Sequence, residues 1–139
     1  MFLVRMVYAS RVSEHFKSED IEDILAKARE HNANNCVTGI LCFNQKYFLQ
    51  CLEGSRSKVN QTYRQILNDK RHEDIVLLDY KEINHRAFSE WSMGYMPTAN
   101  LTRDVIIKHS GRGEFLPFEM SGASAMEFMI TLRNTIPTV

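Results

Sequence analysis

The sequence predicts an α+β fold of the ferredoxin-like class, with a β-α-β-β-α-β core, an antiparallel or mixed sheet and a C-terminal helical extension. Two observations carry this prediction. Short runs of β-branched and aromatic residues alternate with two segments whose apolar residues recur at helical spacing. A tight turn at Asn44-Gln45 separates the second run from the third, so these two strands must be antiparallel. This order of elements places both helices on one face of the sheet.

The first part of the chain predicts strand one, helix one and strand two. Residues 2–9 are apolar and end in a polar loop, which is typical of a strand. Ser18 is the predicted N-cap of helix one, because acidic residues follow it in the first turn. Residues 31–35 (HNANN) are expected to end that helix, and residues 36–43 form strand two. The apolar stripe of helix one consists of Ile21, Ile24, Leu25 and Ala28.

The middle of the chain predicts strand three, helix two and two further strands. Strand three spans residues 47–52, and residues 53–55 (EGS) are expected to break the sheet and begin helix two. Arg71-His72 is expected to close the helix. Strands four and five then follow at residues 75–80 and 91–95. The buried stripe of helix two consists of Val59, Tyr63, Ile66 and Leu67.

The C-terminal segment departs from this pattern. We expect residues 1–97 to form the domain and residues 98–139 a helical extension that packs on the open face of the sheet. Helices are predicted at residues 101–108 and 123–133, with a glycine-rich turn (SGRGE) between them. The extension is rich in methionine, which also suits adaptable contacts with a partner protein.

Composition excludes several classes of function. Lys plus Arg and Asp plus Glu both number 17, and this balance argues against direct nucleic-acid binding. No apolar run approaches the ~18 residues of a membrane helix, and Arg5 within the first strand argues against a signal peptide. The five histidines are scattered without metal-ligand spacing. Three cysteines without a CxxC pair fit a reducing cytoplasm.

Three polar residues fall on predicted core positions. By strand alternation, Tyr8 shares a face with Val4 and Met6, and Gln50 shares a face with Phe48 and Leu52. Asn32 lies eleven residues after Ile21, about three helical turns, and so falls on the apolar stripe. A buried amide without a partner costs about 1–3 kcal/mol. Each residue alone could bond a loop or an internal water, but all three together favour a planar, mostly apolar ligand with a polar edge.

The chain resembles the BLUF family of blue-light sensors that use FAD. The resemblance covers about residues 1–97 and rests on several stretches in collinear order. Any one of them alone would be a weak signal, but together and at these separations they are specific. The stretches are Tyr8 in strand one, HNANNCVTGIL at 31–41, FLQCLEG at 48–54, RHEDI at 71–75, and WSMGY at 91–95.

The resemblance implies a photochemical site. It implies a flavin ring between the two helices, bordered by Ile24 and Ile66, with Asn32 bonding its polar edge. Gln50 would bridge the flavin and Tyr8, Tyr8 would donate an electron and a proton after blue light, and Gln50 would then rotate or tautomerise. Arg64, Asp69 and His72 are the implied neighbours of the ligand tail. Trp91 and Met93, expected on one face of strand five, are implied in signal transmission.

Two departures from the family's pattern concern the ligand tail. His31 stands where some relatives carry a second Asn, and Gln65 replaces a basic residue. FAD is the expected cofactor, with FMN and riboflavin as alternatives. No metal is expected.

Rival functions use the same fold. An acylphosphatase-like hydrolase would need Arg11 and one of Asn32, Asn34 or Asn35 at a phosphate site, but the loop after Tyr8 lacks glycine. A thiol enzyme would need a histidine placed beside Cys36, Cys42 or Cys51. A light-independent interaction module is the remaining alternative, and the colour of the protein distinguishes it.

The output is expected to pass through a partner or a homo-oligomer. Too few residues follow position 97 for a cyclase, phosphodiesterase or DNA-binding domain. The sequence therefore predicts a non-enzymatic sensor whose residues 98–139 contact a downstream signalling protein.

Overall fold

The computed structural model describes residues 2–97, 103–110 and 113–135. The helices and strands follow one another in the predicted order through β4. They are β1 (Leu3–Val12), α1 (Asp20–Asn35), β2 (Thr38–Phe43), β3 (Tyr47–Ser55), α2 (Arg56–Leu67), β4 (His72–Ile83), β5 (Gly94–Pro97), α3 (Arg103–His109), a 3₁₀ turn (Pro117–Glu119) and α4 (Gly122–Thr135).

A single mixed sheet confirms the predicted fold class. Its strand order is β4-β1-β3-β2-β5. The pairs β1–β3, β1–β4 and β2–β3 are antiparallel, whereas β5 joins β2 in parallel. The first four strands therefore have the ferredoxin-like order, and β5 extends the sheet at the β2 edge.

Strand alternation divides the core into two layers. Val4 and Met6 of β1 point to one face, where α1 and α2 pack, and we call this the helical face. Val7 and Ala9 point to the opposite face, where α3, the 3₁₀ turn and α4 pack, and we call this the C-terminal face. The predicted helix at 101–108 is observed from Arg103, and residues 101–102 and 111–112 lie outside the described part. No helix of that part is long and apolar enough to cross a membrane.

Helix one differs from its predicted bounds at its N-terminal end. Its N-cap is Glu19, not Ser18, and the Asp20 carboxylate accepts a hydrogen bond from the Lys17 backbone N–H. The predicted end in HNANN is confirmed, because the last helical residue is Asn35, whose Nδ2 donates to the His31 carbonyl. The C-cap is Cys36, whose left-handed φ of 55° stops the helix.

Two further boundary predictions and one burial prediction were wrong. Residues 53–55 do not break the sheet, because Glu53 and Gly54 pair in register with β1 and only Ser55 caps α2. Leu67 was predicted to be buried but is 46% exposed at the end of α2. Helix α2 ends at this residue, before Arg71-His72, and His72 already belongs to β4.

Edge strand β4 has an irregular backbone. Its pairing with β1 shifts register between Val7 and Tyr8 and again between Ala9 and Arg11. Asp74, at the second shift, has a positive φ of 53°. Such irregularities bend a strand and interrupt its ladder of hydrogen bonds. Val76 and Leu77 nevertheless remain 44% and 47% exposed on this strand.

We predict that Gly39→Ala strongly destabilises the sheet. A Cβ at Gly39 would lie 1.9 Å from the Cys51 carbonyl oxygen, so backbone must move. Overpacking of this kind lowers the free energy of unfolding by about 3 kcal/mol. Denaturant unfolding measures the effect, with Gly113→Ala as the control because its nearest neighbour would be 3.5 Å away. Equal stability of the two variants would contradict this close approach.

Candidate functional site

A buried chain of polar side chains crosses the helical face of the sheet. Tyr8 of β1 lies directly opposite Gln50 of β3, as the antiparallel register requires. The Tyr8 hydroxyl donates a hydrogen bond to Gln50 Oε1. Gln50 Nε2 in turn donates to Met93 Sδ at 3.4 Å. Tyr8, Gln50 and Met93 are all more than nine-tenths buried, so these contacts are shielded from solvent.

Burial keeps the Tyr8 phenol protonated. Desolvation raises the pKa of Tyr8 far above its ordinary value, and Tyr63 and Asp69 add smaller contributions in the same direction. The Tyr63 ring lies 5.7 Å from the Tyr8 ring between centroids, and the His72 ring lies 6.2 Å away edge-on. A protonated phenol can donate its hydrogen bond to Gln50. The same proton is available for transfer.

Asn32 presents an unpaired acceptor beside this chain. Its Nδ2 donates to the Ser92 carbonyl at 2.7 Å, which fixes the orientation of the amide. Its Oδ1 is buried and, among the described residues, is the one buried side-chain nitrogen or oxygen without a hydrogen-bond partner. Because such an atom is costly to leave unpaired, we infer that it faces a donor the protein itself does not supply.

Tyr8, Gln50 and Asn32 line one cleft between α1, α2 and the sheet. Its empty volume is about 910 Å³, including the open mouth. The walls are mainly apolar, with polar groups from the sheet floor and the two helices, as in sites for planar organic ligands. The lining residues are Tyr8, Ile24, Lys27, Ala28, His31, Asn32, Leu41, Phe48, Gln50, Leu52, Thr62, Gln65, Ile66, Asp69, Arg71 and His72.

A charged cluster stands at the mouth of the cleft. Arg71 contacts Asp69 at 2.7 Å and Asp23 at 3.1 Å, so it joins the α2–β4 loop to α1. Its hydrogen bonds lower the pKa of Asp69, and those of Lys27 and then Arg71 lower the pKa of Asp23. Lys27 contacts Asp23 at 3.2 Å. The mouth therefore combines cations with paired carboxylates.

The structure brings most of the predicted site residues together. Ile24 and Ile66 line opposite walls, and Asp69 and His72 lie toward the mouth. Both His72 nitrogens are within hydrogen-bond distance of protein oxygens, Ser10 Oγ at 2.8 Å and the Ile66 carbonyl at 2.7 Å. Arg64 does not line the cleft and is exposed on α2.

Trp91 and Met93 do not share a face. Both precede β5, which begins at Gly94, so strand alternation does not apply to them. Met93 belongs to the apolar layer of the helical face and contacts Gln50. Trp91 belongs to the layer of the C-terminal face, where it stacks on Phe88 at 6.0 Å between ring centroids. Met93 is therefore the member of this pair that touches the polar chain.

The residues considered for a phosphate site, a thiol enzyme or a metal site are not arranged for those functions in the described part of the chain. Arg11 pairs with Asp74 and lies over the Phe118 ring at the C-terminal face, away from Asn32. Burial raises the pKa of the Cys42 and Cys51 thiols. Within residues 2–97, 103–110 and 113–135, no three His, Cys, Asp or Glu side chains are grouped to hold a metal ion.

A comparison with family models identifies the domain. The model described as "BLUF: Sensors of blue-light using FAD" matches residues 3–94, about two thirds of the chain. This chain belongs to the BLUF family. The cleft, with its phenol, its side-chain amides and its apolar walls, lies within the matched segment.

Two curated relatives resemble part of the chain. The antirepressor "BluF" of Escherichia coli K12, described as blue light- and temperature-regulated, is 39% identical over 80 residues, 56% of this chain and 20% of that protein. The "Photoactivated adenylate cyclase subunit beta" of Euglena longa is 30% identical over 92 residues, 66% of this chain and 11% of that protein. The chain thus spans a fifth or less of these curated relatives.

Two solved BLUF structures resemble nearly the whole chain. "BlsA photo-activated state" has a TM-score of 0.87 and 28% identity, and covers 99% of this chain and 98% of its own. "BlrB - a BLUF protein, dark state structure" has a TM-score of 0.76 and 30% identity, and covers 94% and 93%. The likeness to both extends past the family-model match into the C-terminal helices.

Sequence reasoning missed several lining residues of this BLUF cleft. Lys27 and Thr62 face it from α1 and α2, and Arg71 reaches its mouth from the loop. Helical spacing carried the signal for the first two, because Lys27 follows Ile24 by three positions and Thr62 precedes Ile66 by four. Arg71 carried no periodic signal, since its position depends on its two aspartate partners.

The raised pKa of Tyr8 predicts a pH-dependent stability. Above the ordinary tyrosine value of 10.0, the unfolded chain loses this proton while the folded chain retains it. The free energy of unfolding should therefore fall by about 1.4 kcal/mol per pH unit from this residue alone. Urea unfolding between about pH 8 and 11 should show a smaller decline for Tyr8→Phe than for the wild type. Tyr80→Phe, at a 40% exposed position, is the control. Identical slopes for Tyr8→Phe and wild type would contradict the assignment.

Proposed function

We propose that this chain is a blue-light photoreceptor that binds FAD and converts a light-driven rearrangement of hydrogen bonds into a conformational signal for a partner protein. The observation that carries the proposal is the Tyr8–Gln50–Met93 hydrogen-bond chain beside a cleft that contains the unpaired Asn32 Oδ1. The proposal requires no reaction on a substrate, because the hydrogen bonds among Tyr8, Gln50 and Met93 can themselves exist in two arrangements.

The residues of the cleft fit a flavin. Asn32 Oδ1 offers an acceptor for a ring N–H, and Gln50 offers an amide at the same polar edge. Ile24 and Ile66 supply apolar walls for a planar ring system. Lys27 and Arg71 at the mouth are suited to the phosphates of FAD, and riboflavin would leave them without a ligand group.

Bound flavin would supply the absorption of blue light and an excited state that accepts an electron and a proton. Tyr8 is suited to give both, since its phenol is oxidisable and its burial keeps the proton in place until transfer. The hydroxyl proton lies on the Tyr8–Gln50 hydrogen bond before the event. Loss and return of that proton allow the Gln50 amide to exchange its donor and acceptor ends.

The Met93 thioether makes the two orientations of Gln50 unequal. A thioether sulfur accepts hydrogen bonds and cannot donate them, so it can bond Gln50 only when Nε2 points toward it. A rotated amide would direct Oε1 to the sulfur and Nε2 to the Tyr8 oxygen. Tyr8 tolerates this change, because a phenol both donates and accepts. Rotation of Gln50 therefore breaks its hydrogen bond to Met93. The loss of this bond changes how the backbone at Met93 is held.

The downstream partner is proposed to contact the C-terminal helices. Helix α3 exposes Ile107, which is 50% accessible, beside charged residues. The E. coli relative is an antirepressor and the Euglena relatives are cyclase subunits, so related domains are joined to different outputs. A cytoplasmic location is consistent with the free thiols of Cys36, Cys42 and Cys51.

We predict that Gln50→Leu abolishes the light response without abolishing flavin binding. The purified wild type should show a flavin absorption spectrum that shifts slightly to the red after blue light and recovers in the dark. Leucine preserves the size of the side chain but has no donor to exchange. Gln61→Leu, on α2 outside the cleft, is the control. A colourless wild type that does not take up FAD would overturn the proposed function.

We also predict that Asn32→Leu weakens FAD binding by about 10- to 100-fold, the effect of losing one buried hydrogen bond. Titration of the flavin-free protein with FAD, monitored by flavin fluorescence, measures the dissociation constant. Asn34→Leu is the matched control because Asn34 is exposed on the same helix. Parallel titrations with FMN and riboflavin determine whether the charged residues at the mouth contribute to flavin affinity. Equal affinities of the two variants would show that Asn32 Oδ1 does not contact the ligand.

A further inference from the structure

Glu53 is a fully buried carboxylate that the proposed photochemistry does not use. It lies on β3 three residues after Gln50, and strand alternation directs its side chain to the C-terminal face. Arg5, opposite it on β1, contacts Glu53 Oε2 through Nη2 at 2.8 Å and through Nε at 2.9 Å. A carboxylate is retained in such a position only when its oxygens are well satisfied.

The remaining donors to Glu53 come from the chain between β4 and β5. The Ala87 N–H contacts both carboxylate oxygens, at 2.9 and 3.1 Å, and the Phe88 N–H contacts Oε1 at 2.9 Å. Arg86 strengthens the attachment by donating to the Cys36 carbonyl at 2.7 Å and to Thr38 Oγ1 at 2.9 Å. This part of the chain is therefore fixed to the ends of β2 and β3.

The segment 86–93 then connects the two faces of the sheet. At its start, Phe88 and Trp91 pack into the layer of the C-terminal face. At its end, Ser92 accepts from Asn32, and Met93 accepts from Gln50 through sulfur and from Arg29 through its carbonyl at 3.0 Å. The Gly39 N–H donates to the Trp91 carbonyl at 3.0 Å between these two ends.

Helix α4 holds the same segment from the other side. Arg133 Nη1 donates to the Ala87 carbonyl, and its guanidinium lies 5.9 Å above the Phe88 ring. Residues Phe128, Met129 and Leu132 of α4 are fully buried in the same layer. Ala87 thus donates to Glu53 through its N–H and accepts from Arg133 through its carbonyl, so β3 and α4 are joined through one peptide segment.

We propose that Glu53 is a positioning residue that anchors segment 86–93, so that loss of the Gln50–Met93 contact displaces the segment toward α4 and changes the docking of that helix through Arg133. This inference rests on the proposed function, because it needs Gln50 to change orientation. A free segment would absorb the change locally. A segment that is fixed at Ala87 and Phe88 transmits the displacement to α4, because Arg133 of that helix contacts both residues.

The first test uses the flavin-free protein in the dark. Hydrogen–deuterium exchange should show the Ala87 and Phe88 amides protected in the wild type and about tenfold less protected in Glu53→Gln, the factor expected when a charged acceptor is replaced by a neutral amide. Glu82→Gln is the matched control, since Glu82 is 61% exposed on β4. Unchanged protection in Glu53→Gln would overturn the anchoring role.

The second test separates photochemistry from transmission. The FAD-loaded wild type should show the reversible red shift and a light-dependent change in exchange of residues 122–135. Glu53→Gln should keep the red shift and lose most of that change in α4. Absence of the red shift in the wild type would overturn the proposed function and leave the anchoring result of the first test standing. A red shift with an undiminished α4 response in Glu53→Gln would overturn the transmission role.

A variant at the helix end covers the case in which Glu53→Gln does not fold. Arg133→Met removes the contact with the Ala87 carbonyl and leaves Glu53 with all its partners. It should also keep the red shift and lose most of the light-dependent exchange of α4. Arg64→Met, at an exposed position on α2, is the control. An α4 response equal to that of the wild type in Arg133→Met would exclude this route.

Discussion

The hydrogen bond between Tyr8 and Gln50 is the constraint on which the rest of the site depends. It joins two central strands of the sheet inside an apolar layer, where neither side chain has access to solvent. Polar groups in such a place must be satisfied by one another, by the chain or by a ligand. The sheet register supplies the first pair, Met93 supplies an acceptor for the second end of Gln50, and the cleft is left to satisfy Asn32. Among the described residues, Asn32 Oδ1 is therefore left as the one buried side-chain acceptor without a partner in the protein.

The two layers of the core contain different parts of the molecule. The helical face contains the cleft and its polar chain, and the C-terminal face contains α4, Trp91 and Phe88. A β-sheet between them separates these layers, and side chains on opposite faces do not touch. A path of contacts between the faces must pass around an edge of the sheet or through its backbone. Residues 86–93 take the first route, and Glu53 and Arg133 hold them from either side.

Much of the fold and the centre of the site could be predicted from the sequence, because both follow from periodicity. Alternation along β1 and β3 placed Tyr8 and Gln50 on one face, and the helical repeat placed Asn32 opposite them. Alternation failed for Trp91 and Met93, because both lie outside the regular strand and the bent backbone at Ser92 directs them to opposite faces. Long-range contacts also had no sequence signal. The sequence predicts a break in the sheet at Glu53, because its partners, Arg5 and the amides of residues 87 and 88, are distant in sequence.

The irregular backbone of β4 bears on how the molecule behaves at high concentration. An edge strand with exposed apolar side chains such as Val76 and Leu77 is a template for pairing with strands of other molecules. Two register shifts and the left-handed Asp74 prevent β4 from offering the straight row of amide and carbonyl groups that such pairing needs. Aspartate tolerates that conformation better than a β-branched residue would. The bent edge thus disfavours amyloid-like sheet extension. The backbone of β4 has this effect although Val76 and Leu77 are both apolar and exposed.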